Sequence, residues 1–119
     1  MRGVDVILRL EAVAIFVAGV LTYLQLGGNA LWLLPLLLAP DLSMVGYLGG
    51  PGPGAITYNL AHNLATALVL LAVGWFAAIA PLALAGAILV AHVGMDRTLG
   101  YGLKLPTDFH DTHLGRIGR

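Results

Sequence analysis

The chain has 119 residues, 59% hydrophobic and 10% charged, with no cysteine and no net charge. A soluble domain carries about 25% charged residues, so this deficit, with a mean hydropathy of +0.89, places the chain among membrane proteins. Balanced charge argues against the basic face that nucleic acid requires, and the missing cysteine excludes disulfides, thiolate metal sites and cysteine nucleophiles.

A membrane-spanning helix needs about 20 mostly apolar residues, and four stretches reach that length, at roughly 6–26, 30–48, 55–74 and 81–99. The first begins with Arg9 and Glu11 inside its apolar run, which marks a retained helix rather than a removable signal peptide. The second contains Pro35 and Pro40 and stops at the Gly/Pro run 49–54. The fourth opens on Pro81, where the missing backbone donor costs nothing. Residues 100–119 form a tail too short and polar to span.

Long, continuously apolar runs fit helices rather than the short alternating strands of a membrane barrel. Short Gly-rich turns make neighbouring helices antiparallel. The predicted fold is one all-α domain over 1–119, an integral membrane up-down four-helix bundle. Ala12, Ala14, Ala18, Gly19, Ala61, Ala65, Ala83 and Gly86 would let its helices approach closely. Arg2, Arg9, Arg97, Lys104, Arg116 and Arg119 flank the spans, and the three connections hold no Lys or Arg. The positive-inside bias then puts both termini in the cytoplasm of a multi-pass protein of the cell (inner) membrane, with Trp32, Trp75 and Phe76 near the outer interface.

Between Glu11 and Asp96 the one formal charge is Asp41. An ionisable residue inside a span is costly and marks a functional site by default. The topology brings Glu11, Asp41, Ser43, Asn59, His62, Asn63, His92 and Asp96 to similar depth on the cytoplasmic side. His92 and Asp96, four apart, share a helix face. Pro40 is placed to kink the second span just before Asp41, which could instead serve only as a helix cap. The tail is expected to close over the cluster, bringing His113 to it more readily than His110, with Phe109 and Leu114 as apolar anchors.

Five pieces, Ala39-Pro40-Asp41-Leu42-Ser43-Met44, Tyr58-Asn59-Leu60-Ala61-His62, His92-Val93-Gly94-Met95-Asp96-Arg97, Gly100-Tyr101-Gly102-Leu103-Lys104 and Thr112-His113-Leu114-Gly115, resemble the small bacterial membrane family called domain of unknown function 4260. The Arg9-Leu10-Glu11 start is similar to that family's opening, and Leu105 departs from it where an aromatic is expected. The resemblance covers nearly the whole chain and implies a compact multi-span membrane protein, with no activity attached.

The residues themselves favour a divalent-metal site, zinc above others, with His62, His92 and Asp96 as ligands and Asp41 as fourth ligand or orienting group. Ser43, Asn59 and Asn63 would support it. A catalytic zinc keeps a position for water, with Glu11 or His113 as general base, so hydrolysis of a lipid-like substrate follows. Two alternatives are a small proton-coupled transporter working as a dimer through Glu11, and bis-imidazole haem ligation by His62 and His92. The partners expected are membrane lipid and a second copy of the chain.

Overall fold

The structure, a computed structural model, describes residues 3–108 and 110–116, the last without its side chain. Arg2, Phe109 and Arg119 lie outside the described residues. In chain order the elements are α1 (Gly3–Gln25), α2 (Ala30–Leu38), a 3-10 segment (Ala39–Gly49), α3 (Pro51–Ala61), α4 (Leu64–Phe76) and α5 (Ala80–Leu99). Two-residue strands β1 (Asp111–Thr112) and β2 (Gly115–Arg116) pair antiparallel in the tail. The regular structure is therefore almost entirely helical.

Small residues decide how the helices meet. On α5, Gly94 faces the backbone of Phe16 and the Ala12 carbonyl, and Ala91 faces Gly19. A side chain at Gly19 or Gly94 would overlap the opposing backbone, so α1 and α5 touch only because these positions lack one. The pairing order, Ala12 and Phe16 with Gly94 and then Gly19 with Ala91, makes the two helices antiparallel. α4 lies against α5 in the same way, with Gly74 on Ala83 and Leu71 on Gly86. Of the small residues expected at contacts, Ala12, Gly19, Ala83 and Gly86 serve there, whereas Ala14, Ala18 and Ala65 are exposed and Ala61 is half-buried.

The interior is accordingly rich in Ala and Gly, while most Leu, Val, Ile and Trp side chains outside α5 are turned outward, Leu37 being a buried exception. Ala67, Ala87 and Ala91 are fully buried, yet Trp32, Trp75 and Phe76 are largely exposed. Such an arrangement suits lipid, because a soluble monomer rarely exposes so much contiguous apolar surface. Two helical segments, Ala30–Gly49 and Ala80–Leu99, are long and apolar enough to cross a membrane, and α3 with α4 forms a third if that bent pair counts as one span.

The structure corrects two of the expected elements. The second stretch is not one α-helix: it tightens to 3-10 geometry at Ala39, beside Pro40. The third is broken, with α3 and α4 at 41° across His62 and Asn63. It also starts earlier than expected, at Pro51, because Pro51 and Pro53 occupy the first turn, where a missing donor is harmless. Asn63 explains the break. Its side-chain oxygen accepts from the Thr66 amide at 2.8 Å and caps α4. Its amide nitrogen donates to the Asn59 carbonyl at 2.7 Å, satisfying the end of α3. One side chain thus closes both helix ends.

α5 ends at Gly100, whose φ of 89° is left-handed. Tyr101 N bonds Asp96 O at 2.7 Å and Gly100 N bonds Arg97 O at 3.1 Å, the two bonds of a Schellman stop. The tail then turns back toward α3.

Candidate metal centre

Two helix discontinuities hold the two inward histidines. In 3-10 register the partner of the Leu37 carbonyl is the nitrogen of Pro40, which has no hydrogen. His92, fully buried on α5, donates its Nδ1–H to that carbonyl instead. At the end of α3, the His62 amide bonds Asn59 O rather than Tyr58 O. The Tyr58 carbonyl then receives the His62 Nδ1–H at 2.8 Å. A carbonyl can only accept, so both rings carry a proton on Nδ1, and in the neutral ring the lone pair is then on Nε2.

Both lone pairs face the same point. The two Nε2 atoms are 3.0 Å apart. Asp41 Oδ1 lies 3.2 Å from His62 Nε2 and 3.1 Å from His92 Nε2. Asp96 Oδ2 lies 3.3 Å from His92 Nε2 and 3.7 Å from His62 Nε2. Neighbouring ligand atoms around a tetrahedral zinc, each about 2.0–2.1 Å from it, are about 3.3–3.4 Å apart, close to these separations. Asp41, His62, His92 and Asp96 are thus positioned to bind a metal ion, each offering one atom. Converging imidazole and carboxylate lone pairs call for a cation between them, a proton or a metal ion. For a metal, the mixed nitrogen and oxygen donors suit zinc better than calcium or magnesium, which take all-oxygen shells.

Neighbouring side chains hold these residues in place. Tyr58 donates its phenol to Asp96 Oδ2 at 3.1 Å and stacks on His62, with ring centroids 3.7 Å apart. Arg97 holds the His62 carbonyl at 3.2 Å. Asp41 does not cap the 3-10 segment, whose first turn shows no side-chain cap, so the cap-only reading of Asp41 fails. It is the most solvent-reached of the four, its side chain 40% exposed against 8% for Asp96.

The other expected residues fall into two groups. Asn59, Asn63 and Ser43 adjoin the centre. Asn59 clamps the tail, donating to Lys104 O at 2.8 Å and accepting from Lys104 N at 2.6 Å. Ser43 Oγ is 3.5 Å from His62 Nδ1, and its carbonyl accepts from Thr57 at 2.7 Å. Glu11 and His113, by contrast, are not part of the four-residue group. Glu11 is exposed on α1, because the buried stripe of that helix is Ala12, Gly19 and Tyr23. His113 is turned to the tail's own backbone, its Nδ1 accepting from Leu103 N at 2.8 Å. Burial lowers the His113 pKa below its ordinary value, and the charge of Arg97 adds to that.

Sequence reasoning missed Lys104 and Tyr58. Lys104 is 4% exposed and its ammonium lies 4.9 Å above the Tyr58 ring. Burial pulls its pKa down, while the charges of Asp96 and Asp41 act the other way. A cavity of about 290 Å³ opens beside Asp41 and Asp96, walled by Tyr58, Tyr101, Lys104 and His110. Two larger grooves, of about 690 and 620 Å³, are lined mostly by apolar side chains near Trp75 and Trp32. The signal for Tyr58 was its place four residues before His62, one helical turn away.

No curated protein and no solved structure matches the chain. The family model for the domain of unknown function DUF4260 matches residues 5–117, nearly the whole length, and the chain belongs to that family.

Proposed function

We propose that this is a small multi-pass protein of the cell membrane that holds one divalent ion, zinc by its donor set, for hydrolysis of a lipid-like substrate at the cytoplasmic face. One observation carries the metal reading. Both imidazoles spend their Nδ1–H on a backbone carbonyl and turn an Nε2 lone pair toward two carboxylate oxygens. Ligating histidines characteristically donate their other N–H in this way.

The hydrolytic reading rests on the difference among the four ligands. His62, His92 and Asp96 are buried and held, giving the three protein ligands of a catalytic zinc. Asp41, half-exposed at the cavity, is placed to orient a water and take its proton, the task expected of Glu11 or His113. A bound ion would supply Lewis-acid polarisation of the substrate's carbonyl or phosphoryl oxygen.

In this reading both termini are cytoplasmic, because basic residues are confined to the two ends of the chain. In it α1 is counted as a fourth span beside the two long apolar segments and the bent pair of α3 and α4. The antiparallel contacts of α1 and α4 with α5 support that up-down order. The centre then lies toward the cytoplasmic ends, near Gly100. The haem alternative is disfavoured because Nε2 atoms 3.0 Å apart leave no room for a porphyrin between them. The transport alternative loses its inward carboxylate, since Glu11 is exposed.

Elemental analysis of the purified protein tests the reading. One equivalent of zinc per chain is expected, and His92→Ala should remove it. Wild-type protein that takes up no divalent ion after incubation with zinc refutes the proposal.

A further inference from the structure

We infer that the cavity beside the metal centre is a phosphate-binding subsite whose fixed cation is Lys104, so that the substrate is a phosphate ester. The inference rests on the metal reading and adds the substrate's chemical class to it.

Lysine is almost never fully buried without a charged neighbour. Lys104 nevertheless has only 4% of its surface exposed, in a cavity that also meets Asp41 and Asp96. It is held there on purpose-built backbone. Asn59 bonds both its amide and its carbonyl, and a bridge to Thr112 fixes the strand from the other side.

Charge counting supplies the rest. Without an ion, the two carboxylates offset the ammonium of Lys104 and the neighbouring guanidinium of Arg97. A divalent ion takes up both carboxylate charges, so the loaded centre leaves the cavity with the net positive charge of Lys104 and Arg97. Asp108, its side chain 47% exposed, is paired with His110 at 3.0 Å and does not line the cavity. Excess positive charge at a cavity of this size favours an anionic ligand. The guanidinium is occupied with the carbonyls of His62 and Tyr101. An anion that reached both the ion and Lys104 would use several oxygens, which a phosphate has and a single carboxylate offers less well. Lysine serves as a point charge for phosphate. A volume of about 290 Å³ is suited to a phosphate headgroup rather than to a whole lipid.

The test uses full-length protein loaded with zinc, its metal content measured separately, and two probes. Inorganic phosphate is titrated calorimetrically in detergent. Nanodiscs of phosphatidylcholine, with and without phosphatidic acid, are compared by thermal stability. Binding of at least one probe is expected, and Lys104→Met should weaken it about tenfold to a hundredfold with zinc retained. Lys104→Arg, which keeps the charge, should bind more tightly than Lys104→Met. Response to phosphatidic acid alone identifies a lipid headgroup, and response to inorganic phosphate alone a soluble ester. Chelation of the zinc should abolish binding in the wild type, a comparison that needs no variant to fold. Zinc-loaded protein that binds neither probe overturns the inference while leaving the metal centre standing, as does binding unchanged by Lys104→Met or by chelation. Absence of zinc uptake fails the metal reading first.

Discussion

His92 donates its Nδ1 hydrogen to the carbonyl of Leu37, the backbone acceptor that Pro40 cannot serve in the tightened turn that follows α2. The bond joins a helix defect on one element to a candidate ligand on another. His62 repeats the device within its own chain segment, donating to Tyr58 O where α3 stops short. In both cases an orphaned carbonyl fixes which nitrogen faces the centre, and metal affinity should depend on the break as much as on the ligand.

Asn63 makes the second break, so Asn63→Ala should reach the metal without touching it. Loss of the α4 cap should cost about 0.5–2 kcal/mol of stability. The freed α3 end should also let His62 rotate, lowering zinc affinity. Thermal unfolding and a competitive zinc titration read the two effects, and unchanged zinc affinity would show that the break only ends a helix.

Tyr58→Phe removes one hydrogen bond and leaves the ring stacked on His62. Partners of ligating groups are worth about 10–100-fold in metal affinity, and a loss in that range is expected here. Measured against zinc chelators of known strength, an affinity within threefold of wild type would remove Tyr58 from the centre's support.

Gly94→Ala should separate α1 from α5, since the new methyl would overlap Phe16's backbone. Overpacking of this kind costs about 1–3 kcal/mol. Gly52→Ala, where nothing lies within 4 Å, is the matched control. Equal melting temperatures for the two variants in detergent would contradict the close approach of these helices.

The tail should loosen in acid. His113 has its pKa depressed in the folded chain, so the undocked tail binds a proton more readily than the docked one. Docking is then strongest above the ordinary histidine value of about 6.5 and weakens as pH falls through the depressed one. Protonation at Nδ1 also removes the acceptor of the Leu103 amide. Hydrogen exchange at Leu103, corrected for its intrinsic rate, should rise on acidification in the wild type and stay level in His113→Ala. The same rise in both would place the acid sensitivity elsewhere.

The amino-acid sequence by itself pointed to long apolar helices and to the four residues that the fold gathers at one point. One carboxylate in a long apolar stretch, and two histidines near two aspartates, are visible in composition and order. The pairing of His92 with Asp96 was equally legible, because a four-residue spacing fixes a shared face within one helix. Tertiary packing decided the rest. Glu11 is only one residue from Ala12, and a turn of about 100° separates an exposed position from a buried one. The Ala12 and Gly19 stripe, locked on Gly94 and Ala91, set that rotation and turned Glu11 outward. His113 and Lys104 lie in a tail without helical period, where sequence spacing limits reach but not direction. There the two bonds of Asn59 to the Lys104 backbone chose the lysine for the cavity and left the histidine outside it.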